Sequence, residues 1–132
     1  MKNIKVSAAV IIKEKKIFIA QRGYGEFKGF YEFPGGKVEP NEKSSDTVIR
    51  EIKEELDASI KVDSFLTTIE YDYPSFHLSM DVYLTHLINP HLELLEHEDG
   101  EWVYLSETKN YNLLPPDKLI IEALIKSKVK AV

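Results

Sequence analysis

The stretch that decides the fold opens Gly35-Gly36-Lys37-Val38-Glu39-Pro40-Asn41-Glu42 and closes on Arg50-Glu51-Ile52-Lys53-Glu54-Glu55-Leu56. Glu51, Glu54 and Glu55 are spaced i, i+3 and i+4, so on a helix their carboxylates share one face. Like charges repel there, and these fall near the helix's C-terminal end, where the macrodipole also disfavours anions. Stability alone gives no reason to gather acids at that end. A divalent cation removes both penalties, and hard oxygen donors suit Mg²⁺ or Mn²⁺. Val48, Ile49, Ile52 and Leu56 form an apolar stripe on the same helix, and Ser44 or Ser45 can cap its start. The spacing therefore predicts a helix from Ser44 or Ser45 to about Leu56 that packs one side on the core and offers acid from another.

Working outward, Ile4 to Ile12 is rich in Val, Ile and Ala and reads as a buried strand. Lys13 to Lys16 is a charged turn and Ile17 to Gln21 a second strand, which makes a hairpin. Gly23 to Gly29 is a glycine-bearing loop, and Phe30 to Phe33 a short aromatic strand that Pro34-Gly35-Gly36 breaks. Ser59 to Tyr73 and Phe76 to Leu87 are two long strand-like runs joined at Tyr73-Pro74-Ser75. Leu92 to Gly100 is an acidic loop or edge element, and Trp102 to Leu105 a strand. Pro115 and Pro116 precede an amphipathic helix of roughly Asp117 to Ser127, with proline well placed for a first helical turn. Strands in mixed order around two helices predict a compact α/β sandwich. The 132 residues suit one domain, and no linker divides them.

Composition narrows the function. The net charge is −5, so no global basic field exists to hold a nucleic acid polymer. An isolated basic pocket for a nucleotide's phosphates is still compatible with it. The absence of cysteine excludes disulfides, thiolate catalysis and zinc-thiolate sites, and fits a reducing, cytoplasmic setting. The apolar run Val6 to Ile12 is too short to span a membrane, and no signal-peptide cleavage site follows it. The histidines His77, His86, His91 and His97 are scattered, so no histidine metal site is expected.

From Gly36 the chain reads five residues to Glu42, seven more to Arg50-Glu51-Ile52, then Lys53 and Glu54-Glu55. This resembles the Nudix box. The likeness continues in Ala20-Gln21-Arg22, Tyr31-Glu32-Phe33-Pro34-Gly35-Gly36-Lys37-Val38-Glu39, Glu96-His97, Trp102 and Leu114-Pro115-Pro116-Asp117. Those segments are similar to the MutT-like branch, especially to CTP pyrophosphohydrolases and 8-oxo-dGTP diphosphatases. The resemblance implies the Nudix fold, an α/β/α sandwich with a mixed sheet and a loop-helix-loop. It also implies a pyrophosphohydrolase that attacks a (deoxy)nucleoside triphosphate with water, releasing monophosphate and pyrophosphate for nucleotide-pool sanitation.

The resemblance implies roles position by position. Glu51, Glu54 and Glu55 would hold one to three Mg²⁺ ions, with the Gly35 carbonyl and Glu96 completing the site. Glu51 would take the proton of the attacking water, with Glu54 or Glu96 as rivals. Arg50 would orient the glutamates, and Glu42 would support it. Arg22 and Lys37 would contact phosphates. Phe33, Phe76, His77 and Met80 would lie near the base. Asp117 would read the base, or cap the last helix, or both. Gly35-Gly36 would let the backbone turn sharply and approach the metal.

The box ends in Asp57-Ala58, where the family has glycine and a large aliphatic residue. Aspartate tolerates the left-handed helix stop at a penalty of about 1 kcal/mol or less. Two other readings stand beside this one. Pro74, sixteen residues past Ala58, resembles a feature of ADP-ribose hydrolases, although a hairpin turn explains it equally. A nucleotide-sensing module without catalysis is the other, and the intact box glutamates oppose it. Either a monomer or a homodimer fits the fold.

Overall fold

The computed structural model describes residues 2–132. The first strand, β1 (Lys2–Lys13), organises the sheet. On one side it runs parallel to β6 (Phe76–Leu87), from Lys2 opposite Phe76 to Ile11 opposite Thr85. On the other side its first half pairs with β4 (Gly35–Lys37), and its end turns into β2 (Lys16–Arg22). β5 (Ile60–Tyr73) flanks β6 as an antiparallel edge. β2 carries β3 (Tyr31–Glu32) on one edge and β7 (His97–Val103) on the other. The result is a seven-stranded mixed sheet.

Both faces of β1 are covered, which is why its sequence is continuously apolar rather than alternating. Ala8 and Val10 face the core that holds Ile120 and Leu124 of α2 (Pro115–Lys126). Ala9 and Ile11 face the core that holds Val48, Ile52 and Leu56 of α1 (Ser44–Leu56). The chain is thus an α/β sandwich with a helix on either side of the sheet, as its patterning predicts.

Several boundaries differ from expectation. Ile49 is 41% exposed, and Thr47 takes the inward place. The start of α1 is not capped by serine: Lys43 is the N-cap residue, and the Ser44 hydroxyl meets that of Tyr83 at 2.6 Å. The segment after Pro34 is not a simple break, because Gly35–Lys37 adds a strand to β1. The last strand begins at His97, and Leu105 starts a 3₁₀ turn to Asn110 instead of ending that strand. Pro74-Ser75 is the two-residue turn between β5 and β6, where Tyr73 pairs with Phe76. Among the described residues, no helix is long and apolar enough to cross a membrane.

Candidate active site

The acidic end of the site is built by α1 against β4. Arg50 is its organiser. Its Nε and Nη2 donate to the two oxygens of Glu42 at 2.8 and 3.0 Å, Nη2 donates to the Lys37 carbonyl at 3.1 Å, and Nη1 donates to Glu51 at 2.9 Å. Nη1 also reaches Glu54 at 3.4 Å. Glu42, which accepts as well from the Thr47 hydroxyl and the Glu39 amide, is drawn down to about 2, chiefly by Arg50. One guanidinium thus ties the loop before the helix to the carboxylates on it.

The two glycines are required by space and not by a sharp turn: neither has positive φ. A Cβ on Gly35 would collide with the Ser7 carbonyl of β1, and one on Gly36 would fall on the Glu51 carboxylate. The close pairing of β4 with β1 and the seat of Glu51 both depend on these missing side chains.

Glu55 is the anomalous acid. Among the described residues, its Oε1 is buried without a hydrogen-bond partner. Burial first, and then the nearby carboxylates of Glu51, Glu32 and Glu96, push it well above the ordinary carboxylate range. An orphaned buried oxygen among like charges is what a cation site looks like without its cation. Glu51, Glu55 and Glu96 line one cavity and carry the oxygen donors that a divalent ion takes, and Glu54 stands at the exposed rim, 56% accessible. A second group, Asp57, His91 and Glu93, gathers at the far end of α1. There Asp57 is already paired with Lys53 at 2.9 Å and His91 at 3.0 Å, so that group compensates charge at a helix end.

A cavity of about 500 Å³ runs from this acidic end into the sheet. Its far end is apolar, walled by Phe33, Phe76, Leu78 and Met80. Phe76, Leu78 and Met80 share a face because strand residues alternate. His77 consequently points to the opposite face, bonded to Asp72 at 2.6 Å and Glu70 at 2.8 Å, so it is no part of the pocket. Asp117 closes the floor. It is not the cap of α2, since Leu114 is the N-cap residue; its Oδ1 instead accepts from the Phe33 amide at 2.8 Å. Only 5% exposed, it is pushed up to about 8 by burial, with Glu32 adding to the shift. Arg22 lies in the cavity wall, held by Glu32 at 2.8 Å, and exposed Lys37 follows Gly36 in β4.

Of the residues singled out from sequence, Arg22, Phe33, Gly35, Lys37, Glu51, Glu55, Phe76, Met80, Glu96 and Asp117 all line this cavity. Arg50 and Glu54 stand just outside it, on the same helix. Trp102 packs on Phe18 across 5.2 Å, away from the cavity. Sequence reasoning missed Tyr24, Phe27, Glu32 and Tyr73 as lining residues. The alternation of β5 and β6 about the Pro74 turn could have found Tyr73, which stacks on Phe76 at 4.8 Å.

A helix of acids set against a glycine strand thus faces a cavity of about 500 Å³ in a mixed sheet. The NUDIX domain profile matches residues 7–123, and the chain belongs to that family, as a Nudix hydrolase of the MutT-like kind. It is 31% identical over 126 residues to the CTP pyrophosphohydrolase of Escherichia coli K12, covering 95% of this chain and 93% of that one. It is 36% identical over 85 residues to the 8-oxo-dGTP diphosphatase of Proteus vulgaris, covering 63% and 76%. The solution structure of the E. coli ORF135 protein superposes with a TM-score of 0.84 at 30% identity, covering 98% of this chain and 94% of that one. Members of the family act on nucleotides and use a divalent metal ion.

Proposed function

We propose that this chain, as one domain, is a Mg²⁺-dependent pyrophosphohydrolase of a (deoxy)nucleoside triphosphate of the cytosine or 8-oxoguanine kind. The observation that carries this reading is the one cavity lined by the acids Glu51, Glu55 and Glu96, by Arg22, and by Phe33, Phe76, Met80 and Asp117. A triphosphate needs each of these features.

Glu51, Glu54, Glu55, Glu96 and the Gly35 carbonyl would hold the ion, which supplies neutralisation of charge on the phosphates. Arg22 binds phosphate oxygens with its planar fork, and Lys37 adds a point charge. Arg50 keeps Glu51 and Glu54 oriented. Water's oxygen attacks a phosphorus, the bridging P–O bond breaks, monophosphate and pyrophosphate separate, and a carboxylate, Glu51 first and Glu54 or Glu96 as rivals, takes the water's proton. Phe33, Phe76 and Met80 hold the base and exclude water.

Asp117 supports the choice of base. Kept protonated near neutrality, its carboxyl presents one donor and one acceptor, as an amide does. That pattern pairs with N3 and the N4 amine of cytosine, or with O6 and N7–H of 8-oxoguanine. The same pattern also meets O6 and N1–H of guanine, which is why dGTP belongs beside 8-oxo-dGTP in the test. The relatives named for CTP and 8-oxo-dGTP point the same way.

The test is a panel of CTP, dCTP, 5-methyl-dCTP, dGTP, 8-oxo-dGTP, ADP-ribose and a dinucleoside polyphosphate with Mg²⁺, products being separated. Monophosphate and pyrophosphate are expected from the cytosine nucleotides or 8-oxo-dGTP, lost in chelator, and reduced by about two orders of magnitude or more in Glu54→Gln. Cleavage of ADP-ribose alone would overturn the substrate class. Tight nucleotide binding without any cleavage would make the protein a sensor.

A further inference from the structure

Beside the cavity, the pairing of β2 with β7 contains one defect. The register is regular from Ile17 opposite Val103 to Gln21 opposite Asp99, but the next pair is Arg22 with His97, so Glu98 has no partner. Opposed residues of an antiparallel pair share a face, and neighbours along a strand alternate. In unbroken register Glu98 would stand opposite Arg22, and His97 would point to the other face. The extra residue reverses this and brings the imidazole to Arg22's side, a use bulges have next to active sites. Gly23 makes room for the displaced residue: a Cβ there would come within 2.8 Å of Glu98 Cγ.

On the opposite edge of β2, Glu32 pairs with Ala20, two residues from Arg22 and so on the same face. Its carboxylate reaches across the strand and is gripped from both sides. Arg22 Nε donates to Oε1 at 2.8 Å, and His97 Nε2 donates to Oε2 at 3.0 Å. A carboxylate oxygen only accepts, so Nε2 carries the proton. The His97 side chain is 6% exposed and, among the described residues, its Nδ1 has no partner, which leaves Glu32 as the ring's hydrogen-bonding contact there. Since Glu32 occupies Nε of Arg22, the guanidinium's two terminal amino groups are left for an anion.

We propose that His97 is a positioning residue for substrate binding: turned inward by the bulge at Glu98, it fixes Glu32, which fixes the phosphate-binding fork of Arg22. The assignment rests on the reading of Arg22 given above. His97 touches no reacting atom, so its loss acts on binding and leaves turnover in place.

The experiment compares wild type, His97→Ala, His97→Gln and His97→Asn on the best triphosphate of the panel, with KM and kcat measured separately. His97→Ala is expected to raise KM about tenfold with kcat within about twofold. His97→Gln, whose amide nitrogen sits where Nε2 did, restores KM to within about twofold; His97→Asn, one bond shorter, does not. In an Arg22→Ala background, His97→Ala adds nothing further to KM. If His97→Ala does not fold, the Gln and Asn variants decide alone. Equal KM in those two, a fall in kcat with KM unchanged, or additive effects with Arg22→Ala would overturn the proposal while wild-type activity stands. A wild type inactive on every triphosphate would overturn the functional reading and this inference with it.

Discussion

Asp117 carries its proton near neutrality because burial disfavours its charge and Glu32 repels it, the pair of effects that pushes it up to about 8. An unfolded aspartate titrates near 4. Between about 4 and about 8 the native state therefore holds more protons than the unfolded chain, and stability falls as pH rises through that window. Asp117→Asn cannot titrate, yet its side-chain oxygen can still accept from the Phe33 amide. Its melting temperature should exceed wild type by a margin that grows from pH 5 to pH 8, reaching on the order of 10 °C, and then levels off. Thermal melts without nucleotide across that range check it; a constant margin would mean that Asp117 is ionised in the fold. The residue's importance was legible in its place after Leu114-Pro115-Pro116. Its bond to Phe33, 84 positions away in sequence, was not, since only the packing of α2 on the sheet brings the two together.

At the scale of the element, α1 shows which parts of a helix are written locally. Its acids, its stripe at Val48, Ile52 and Leu56, and its stop are all in the local sequence. The stop is Asp57, which adopts the left-handed conformation at φ 47°, ψ 35° in place of the family's glycine. Lys53 and His91 bind its carboxylate and hold it below its usual range. Asp57→Ala should lose about 1 kcal/mol of stability in denaturant titration, from the strained backbone, while Asp57→Gly should stay close to wild type. A fully neutral alanine would show that the cap contributes nothing. The serine cap and the inward place of Ile49 were misread because the neighbours decided both: Glu42 engages Thr47, and Tyr83 engages Ser44.

At the scale of the whole molecule, the fold holds together like charges that a folded chain would otherwise disperse. Glu55 with its orphaned oxygen, beside Glu51 and within the field of Glu32 and Glu96, is a cost that a bound cation would remove. Mg²⁺ or Mn²⁺ should therefore raise the melting temperature, by about 2–3 kcal/mol of added stability at a hundredfold excess over its dissociation constant. Glu55→Gln should melt at or above wild type in chelator and lose most of that response. A cation-independent melt of the wild-type protein would mean that this cluster does not hold the ion.

While Arg22, Phe33, Lys37, Phe76, Met80, Glu96 and Asp117 were reached through the family resemblance, periodicity and spacing in the sequence determined the α/β class, both helices, the main hairpins and the acidic face of α1. Those features rest on rules of three or four residues on a helix and two on a strand, which are local. The tertiary structure alone decided why the glycines are needed, since Gly35 and Gly36 serve the approach of β1 and the seat of Glu51. It alone turned His77 away from the pocket and His97 into it. The face a strand residue takes depends on register, and register here is set by partners distant in the chain and shifted by a single unpaired residue.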